Sequence, residues 1–320
     1  MSLLLKIEGL TVAYESDSKR LLAVNNVDLE IFQGEIFGLA GESACGKTTL
    51  ANSILRLIKP PGRIISGRVI FDGVDLLSLG EEDLRRIRWE KIAYIPQASM
   101  SALNPVMRIY DQIVDVVRAH RKDFPEEEIR RRAEELFVSV GLAPEVLKMY
   151  PHELSGGMRQ RVIIAMSLFL NPKLLIADEP TTALDVVVQR GILQLLRDIN
   201  KKFGTTILLI THDMAVHAQI VDRLAIMYAG KIVEVGPVKD IFERPLHPYT
   251  QLLIASIPRV GEKRRLAGIP GLPPDLRNPP PGCMFHPRCP LRIQGKCERV
   301  EPALRQVSNE RKVACHLYEG

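Results

Sequence analysis

The residues best suited to chemistry form a short loop near the start of the chain. The pattern G-x-x-x-x-G-K-[ST], which binds phosphate groups, is matched by Gly41, Gly46, Lys47 and Thr48. An apolar run at 36–40 predicts a buried strand before the loop, and apolar residues at helical spacing follow it. In that context loop N–H groups point at phosphate oxygens, Lys47 adds a positive charge and Thr48 can bind Mg²⁺. The context favours this interpretation over a simple glycine turn.

Ionisable residues also follow two later apolar runs. Asp178 and Glu179 come directly after 174–177, and His212 follows 205–210. Adjacent carboxylates at a strand end point in different directions, so Asp178 can hold the Mg²⁺ shell while Glu179 faces an attacking water. His212 can then hydrogen-bond a γ-phosphate. A solvated acidic turn is the alternative for the two carboxylates, and the preceding phosphate loop argues against it. A structural histidine is the alternative for His212, and its position after the next strand argues against that.

A second glycine-rich run, LSGGM at 154–158, begins 20 residues before the acidic strand. Ser155 is predicted to cap the helix that continues over 159–170, which makes that helix N-terminus an anion site. A Ser-Gly-Gly run alone is usually a turn. Together with the phosphate loop it indicates a nucleotide held between two subunits.

These motifs together resemble an ABC-type ATPase over roughly residues 1–240. The resemblance implies an α/β fold with a P-loop parallel-sheet core, an antiparallel β subdomain and an inserted helical subdomain, to which this chain adds a small cysteine-containing C-terminal module. It also implies that Ser155 and the N–H groups of Gly156 and Gly157 cap the γ-phosphate bound by the opposite subunit. Met158 departs from the glutamine more usual after LSGG.

The resemblance assigns roles to further positions. It implies that Tyr14 stacks on adenine, that Gln97 senses Mg²⁺ and water, and that Asp185 touches the partner subunit. A tyrosine on the face of a strand is the alternative for Tyr14. Catalysis would rest on Glu179, His212, Gln97 and Lys47, and Mg²⁺ on Thr48, Gln97 and Asp178. The other ATP contacts of the loop would be Gly41, Glu42, Ser43, Ala44, Cys45, Gly46 and Thr49, with Ala44 replacing a more common glycine.

Three runs narrow the resemblance to the ATPase subunits of oligopeptide and dipeptide importers. They are LSGGMRQRV, SALNP at 101–105 and RPLHPYTQLL at 244–253. The implied partners are a second ATPase subunit (a copy or a paralogue), two transmembrane permease subunits, and an extracytoplasmic substrate-binding protein that acts through the permease. The alternatives are a nickel or other small-solute importer and, in another class, a non-transport ABC ATPase acting on nucleic acid or ribosomes. Against the latter, the chain has one nucleotide domain and no long heptad coiled coil.

Composition sets further bounds. The 320 residues carry a net charge of +5 with 25% charged residues of both signs, which is not the basic stripe of a nucleic-acid binder. The cluster at 263–265 is interpreted as a solvated linker. No run approaches the roughly 18 apolar residues of a membrane span, and the N-terminus lacks signal-peptide features. We therefore expect a cytosolic protein, peripheral on the cytoplasmic side of the cell membrane.

The chain is predicted to divide by composition and motif. The expected parts are the ATP-binding core with the antiparallel subdomain (1–97 and 166–240), the helical signature subdomain (98–165), a helical extension (241–267), and a proline-rich strap with a four-cysteine metal-binding module (268–320). A helix is predicted between Pro125 and Gly141, and a hairpin turning at Ala229 and Gly230.

Four cysteines lie in the last 38 residues with the spacing C-x5-C-x7-C-x17-C, at Cys283, Cys289, Cys297 and Cys315. Disulfides do not suit a cytosolic ATPase, but thiolates around a metal can hold a core-poor segment together. The spacing is wider than is usual for zinc and favours a [4Fe–4S] cluster, which some related importer ATPases carry. Zinc, with help from His286 or His316, and free thiols remain the alternatives. A redox- or metal-responsive regulator is a further possibility.

Overall fold

A computed structural model describes residues 2–16, 19–97, 101–257, 268–308 and 310–319. The chain divides into two compact units, one of Met1–Ser78 with Ile210–Gly320 and one of Leu79–Leu209. The described strands are β1 (Leu3–Ser16), β2 (Lys19–Phe32), β3 (Ile36–Ala40), β4 (Gly62–Phe71), β5 (Val74–Asp75), β6 (Ile92–Ile95), β7 (Leu174–Asp178), β8 (Thr206–Ile210), β9 (Arg223–Tyr228), β10 (Lys231–Pro237), β11 (Arg305–Ser308) and β12 (Arg311–Val313). The described helices are α1 (Lys47–Ile54), α2 (Glu81–Ile87), α3 (Ile109–His120), α4 (Glu126–Ser139), α5 (Gly156–Ser167), α6 (Val186–Phe203), α7 (Met214–Ile220), α8 (Val238–Glu243) and α9 (Pro248–Ala255). The basic cluster at 263–265 lies outside the described residues.

An antiparallel sheet with the order β2-β1-β4-β5 forms the first part of the first unit. Leu5 of β1 lies opposite Ile31 on one side and Phe71 on the other. Leu10 and Val12, which lie on either side of a register shift in β1, are both fully buried. The antiparallel strands predicted over 3–35 are confirmed.

The other sheet of the first unit has the order β11-β12-β10-β9-β3. All residues of β3 are buried, and it lies parallel to β9 with Phe37 opposite Arg223. β9 and β10 form the predicted hairpin, which turns at Ala229 and Gly230, both with positive φ as the favoured two-residue hairpin turn requires. β12 then adds to β10 and β11 to β12. The last residues of the chain are therefore partly an extension of this sheet, which the sequence did not predict.

In the second unit, β6 and β7 are parallel, with Ile92 opposite Leu174, and β8 lies beside β7. Each residue of β7 is buried, as its continuous apolar run predicts for a strand covered on both faces. Helices α3, α4 and α5 occupy most of the segment predicted to be helical. Pro125 is the N-cap of α4 and Gly141, with a φ of +75°, follows its end, so this predicted helix is confirmed.

Residues 268–282 form neither helix nor strand, as their proline content predicts. Short 3₁₀ turns at His286–Arg288 and His316–Tyr318 follow within the cysteine-containing segment. Among the residues that the structure describes, no helix is both long enough and apolar enough to cross a membrane.

Candidate nucleotide-binding site

The phosphate loop of the first unit runs from the end of β3 to the start of α1, as predicted. A methyl group on Gly46, which has a φ of +108°, would lie 2.1 Å from the backbone oxygen of Ala23. Only glycine suits this position, because other residues are strained by the dihedral and blocked by the contact. Ala44 also has a positive φ, of 61°, which explains why a glycine is common at that place in such loops.

The side chain of Lys47 is buried within the phosphate loop and binds its backbone. Its side chain is 7% exposed, and its Nζ donates to the backbone oxygens of Gly41 at 2.8 Å and Glu42 at 2.9 Å. α1 begins at Lys47, and no side chain caps its N-terminus. The uncapped N–H groups of the first turn, beside the half-buried Thr48 and Thr49, can therefore bind phosphate oxygens.

Glu42 has partners far along the chain that the sequence did not reveal. Its N–H donates to the hydroxyl of Tyr249, at 2.9 Å, and its carboxylate meets the guanidinium of Arg288. Tyr249 belongs to the RPLHPYTQLL run and Arg288 to the segment between two cysteines. Neither sequence segment predicts a contact with the phosphate loop, because residues about two hundred positions apart leave no local pattern that would reveal the contact.

His212 lies directly after β8 and is exposed. The preceding residue, Thr211, donates its N–H to the backbone oxygen of Leu39 in β3 at 3.4 Å. Asp213 caps α7 by accepting from the N–H of Ala215 at 2.8 Å. His212 is therefore held in the first unit, beside the strand that leads into the phosphate loop.

The acidic pair lies at the end of β7 in the second unit. Asp178 is fully buried and accepts a hydrogen bond from the Tyr94 hydroxyl on β6, at 3.2 Å. Burial, reinforced by the Asp178 carboxylate, raises the pKa of Tyr94 well above its usual value, so this hydroxyl remains a donor. Glu179 has a φ of 51°, and its carboxylate accepts from the hydroxyl of Thr182 at 3.1 Å. The two carboxylates therefore have separate partners, as predicted from their positions.

Gln97 follows β6 and is exposed. Since β6 and β7 are parallel, with Ile95 opposite Ala177, Gln97 and Asp178 leave the same edge of the sheet in the second unit. The structure thus brings these two predicted Mg²⁺ ligands to one edge.

The signature run forms the start of α5. Ser155 is its N-cap, as predicted, and its Oγ accepts from the N–H of Met158 at 3.3 Å. A methyl group on Gly157 would lie 2.6 Å from Val188 in the first turn of α6. Asp185 caps α6 by accepting from two N–H groups, beside the exposed Val187. The starts of α5 and α6 therefore lie together, and Asp185 has a capping role that the sequence did not predict.

Tyr14 lies in β1, opposite Leu21 on β2 and Gly62 on β4. A methyl group on Gly62 would lie 2.6 Å from the Tyr14 ring. Glycine at this position therefore leaves room for the ring. The predicted stacking on adenine stays a prediction.

The four C-terminal cysteines are free thiols that line one small cavity of about 10 Å³, together with His286 and His316. Burial raises the pKa values of Cys283 and Cys315 to about 11, and the neighbouring thiols add to the shift.

The described His, Cys, Asp and Glu residues contain no group of three or more placed to hold a metal ion. Both ring nitrogens of His316 are engaged, one by Glu319 at 2.7 Å and one by the Val300 carbonyl at 2.8 Å, which argues against His316 as a zinc ligand. The cysteines come together as predicted, whereas the predicted metal ligation is not shown.

Comparisons with known proteins agree with these motifs. Residues 24–182 match the ABC transporter family and residues 233–297 match the oligopeptide/dipeptide transporter C-terminal region. The dipeptide transport ATP-binding protein DppD of Caldanaerobacter subterraneus is 43% identical over the whole chain and 98% of its own length. The oligopeptide transport ATP-binding protein AppD of Bacillus subtilis is 45% identical with the same coverage. A solved dimeric ATP-binding cassette in a post-hydrolysis state, bound to ADP and phosphate, aligns with a TM-score of 0.65 and 30% identity over 73% of this chain and 99% of its own.

The chain is an ATPase of the ABC transporter family. Its second matched region places it among the family members with an oligopeptide/dipeptide transporter C-terminal region. The fold class and the resemblance predicted from the sequence are confirmed, because the aligned cassette has the same fold and the relatives match over nearly their full length.

Proposed function

We propose that this chain is the ATP-hydrolysing, energy-coupling subunit of a dipeptide or oligopeptide import complex. One observation carries the proposal: a cassette and a peptide-transporter C-terminal region occur in one chain whose relatives, matched over 98% of their length, are named for dipeptide and oligopeptide transport. Those names favour peptides over nickel and over a non-transport role on nucleic acid or ribosomes.

The nucleotide site of this proposal combines the two predicted anion sites. Lys47 and the first turn of α1 bind the β- and γ-phosphates, and Thr48, Gln97 and Asp178 hold Mg²⁺. Ser155 and Gly157 of a second subunit complete the site, because the start of α5 presents N–H groups and an exposed hydroxyl.

The chemistry follows from the separate partners of the acidic pair. Asp178 accepts from the Tyr94 hydroxyl and Glu179 from the Thr182 hydroxyl, so the two carboxylates can have different roles, and we assign the metal to Asp178. Glu179 then orients the attacking water, and His212 contacts the γ-phosphate. ATP closes the pair of subunits and hydrolysis opens it, which moves the attached membrane subunits.

The partners proposed are a second ATPase subunit, two transmembrane permease subunits, and an extracytoplasmic substrate-binding protein acting through the permease. The chain would lie on the cytoplasmic side of the membrane, attached through the permease. The domain boundaries proposed from the sequence assign the permease contact to the helical subdomain at 98–165.

We also propose that the four C-terminal cysteines bind a [4Fe–4S] cluster. The supporting observation is that all four cysteines line one cavity, beside His247, His286 and His316. A cluster takes one thiolate for each iron and so holds the sulfurs farther apart than one zinc ion does. Since burial raises the pKa values of Cys283 and Cys315 to about 11, cluster binding at this cavity would release protons.

The import proposal is tested by purifying the tagged full-length chain with its complex from detergent-solubilised membranes. We expect two integral membrane proteins to co-purify, and the ATPase rate to rise when a peptide-loaded binding protein is added. If Ni²⁺-loaded binding protein raised the ATPase rate and peptide-loaded binding protein did not, the transported substrate would be nickel and not a peptide. Co-purification of ribosomes or nucleic acid without membrane proteins would overturn the importer assignment.

A further inference from the structure

Within the phosphate loop, the Glu42 carboxylate is paired with an arginine from the C-terminal tail. The guanidinium of Arg288 donates from Nη1 to Oε2 at 2.8 Å and from Nη2 to Oε1 at 3.0 Å. This is a bidentate pair, the strongest and most directional form of arginine–carboxylate contact. The two residues lie 246 positions apart in the chain.

The Arg288–Glu42 pair reduces electrostatic repulsion between the phosphate loop and a bound polyanion. A loop that binds a polyanion loses affinity if it carries an uncompensated carboxylate, because like charges repel. The side chain of Arg288 is 5% exposed and that of Glu42 is 26% exposed, so solvent screens the pair less than it would at an open surface. An arginine side chain is always charged in proteins, so the Arg288 guanidinium compensates the Glu42 carboxylate.

Two tyrosines fix the geometry of the pair. The Tyr249 hydroxyl accepts the backbone N–H of Glu42, and the Tyr228 hydroxyl accepts from Nη1 of Arg288 at 3.3 Å. The rings of Tyr228 and Tyr249 lie 4.6 Å apart, and Phe285 packs on both. This fully buried aromatic cluster joins the backbone of the phosphate loop to the cysteine-containing segment.

The position of Arg288 depends in turn on the C-terminal tail. Its Nε donates to the backbone oxygen of Pro270 at 2.8 Å, so it also holds the proline-rich strap. Arg288 ends the 3₁₀ turn between Cys283 and Cys289, both of which line the thiol cavity. Any change that unfolds this segment would therefore withdraw the guanidinium from Glu42.

We propose that Arg288 is a positioning residue of the nucleotide site, which neutralises Glu42 and orients the phosphate loop, so that nucleotide affinity depends on a folded cysteine-containing tail. The inference rests on the proposed binding of ATP at Gly41–Thr48. It extends that function by making the tail part of the nucleotide site.

A merely structural role for Arg288 makes a different prediction. If Arg288 only anchors the strap, its loss damages the protein whatever residue stands at position 42. If it acts by neutralising Glu42, removal of the carboxylate must compensate for its loss. The charge-removing substitution Glu42→Gln, combined with Arg288→Ala, therefore separates the two roles.

The experiment is calorimetric titration of the full chain with MgADP, which occupies the phosphate loop without turnover. We expect Arg288→Ala to weaken ADP binding roughly tenfold, the effect of one poorly screened charge near the phosphates. Glu42→Gln/Arg288→Ala should return the affinity to within about threefold of the wild type, and Arg288→Lys should lie between. Arg277→Ala, which removes an exposed arginine paired with Asp275 in the strap, is the matched control and should leave the affinity unchanged.

Three outcomes overturn the role of Arg288: wild-type affinity in Arg288→Ala, equal weakening in the single and double variants, and an equal loss in Arg277→Ala. A thermal unfolding curve for each variant shows whether a loss of binding follows a loss of folded protein. Failure of the wild-type chain to bind MgADP would instead overturn the proposed function.

Discussion

Glu179 and Thr182 form a closed turn immediately after the β7 strand. The Thr182 hydroxyl donates to Oε2 of Glu179 at 3.1 Å, and Glu179 itself has a φ of 51° and is 8% exposed. Left-handed backbone at a non-glycine residue costs free energy, and such strain concentrates at functional sites. The turn separates the Glu179 carboxylate from that of Asp178, whose partner is Tyr94.

Glu179→Gln should abolish most turnover while leaving ATP binding in place. Glutamine keeps the size of the side chain and an oxygen that accepts from Thr182, but it cannot act as a base. We expect the hydrolysis rate to fall by ~100-fold or more and an ATP-bound closed dimer to accumulate. Single-turnover kinetics and size-exclusion chromatography with MgATP measure the two effects, using the mixed dimer if the partner is a paralogue. Undiminished turnover would exclude Glu179 from the chemistry.

Local features of the site were predictable from the sequence. The Ser155 cap, the strand before Gly41 and the turn at Gly230 each follow from a few adjacent residues whose types admit one backbone conformation. The apolar run of β7 likewise predicted that the strand ends at Asp178 and that the acidic pair lies at its end. In each case the physical cause lies within a few positions of the residue concerned.

Long-range partners were not predictable. The Arg288–Glu42 pair, the Tyr249 hydroxyl on the loop and the addition of β12 to β10 depend on how the tail returns to the first unit. A polar residue in a proline-rich segment gives no indication of its partner when many charged residues compete for it. The sequence predicted a small C-terminal module but not the contacts that join this segment to the sheet and to the phosphate loop.

Gly38→Ala should destabilise the first unit although the site residues are unchanged. The added methyl would lie 2.6 Å from Nδ1 of the fully buried His217 and 2.8 Å from Cδ1 of Leu224. Overpacking of this kind costs about 1–3 kcal/mol of unfolding free energy. Urea unfolding measures the change, with Gly268→Ala as control because nothing lies within 4 Å of that position. Equal stability of the two variants would contradict the packing at Gly38.

Arg311→Ala should be costly because it leaves a buried charge alone. Glu234 is fully buried and accepts from Arg311 Nη2 at 2.6 Å and from the N–H groups of Leu246 and His247. Removing one partner of a buried ion pair typically costs about 3–5 kcal/mol. The double variant Glu234→Gln/Arg311→Ala should cost less than the single one, because glutamine keeps an acceptor without the charge. A double variant that is less stable than Arg311→Ala would contradict this account of the pair.

His247 should make the protein less stable in mild acid. Burial lowers its pKa from 6.5 to about 3, and its Nδ1 accepts from the N–H of Tyr249 at 3.0 Å, so the proton of the neutral ring lies on Nε2. The unfolded chain takes up a proton as pH falls below 6.5, whereas the folded chain does not until about 3. The stabilisation is therefore complete above pH 6.5 and is lost progressively between 6.5 and about 3.

The matched variant for this effect is His247→Asn, which keeps an acceptor for the helix start without the titration. Between pH 6.5 and 5.5 the wild type should lose about 1 kcal/mol more unfolding free energy than the variant. Urea unfolding at pH 7.5, 6.5 and 5.5 measures the difference. Parallel pH dependence in the two proteins would show that His247 is not held neutral.

Anaerobically purified protein should contain about four iron and four sulfide per chain, with broad visible absorption. The reason is the convergence of four thiols, one buried and three half-buried, on one cavity. Cys297→Ser should lose the iron and the colour, whereas Cys45→Ser should keep both because Cys45 lies in the phosphate loop. Metal analysis and absorption spectra measure these contents.

The same samples connect the metal to the nucleotide site. If the cluster holds the segment between Cys283 and Cys289 in place, Cys297→Ser should weaken MgADP binding by a factor close to that of Arg288→Ala, and combining the two substitutions should add little, because both act through the Arg288–Glu42 pair. One zinc per chain and no visible absorption would mean that the cysteines bind a single zinc ion and not an iron–sulfur cluster. The absence of any metal would refute ligation at this cavity, and independent, additive losses of affinity would refute the connection through Arg288.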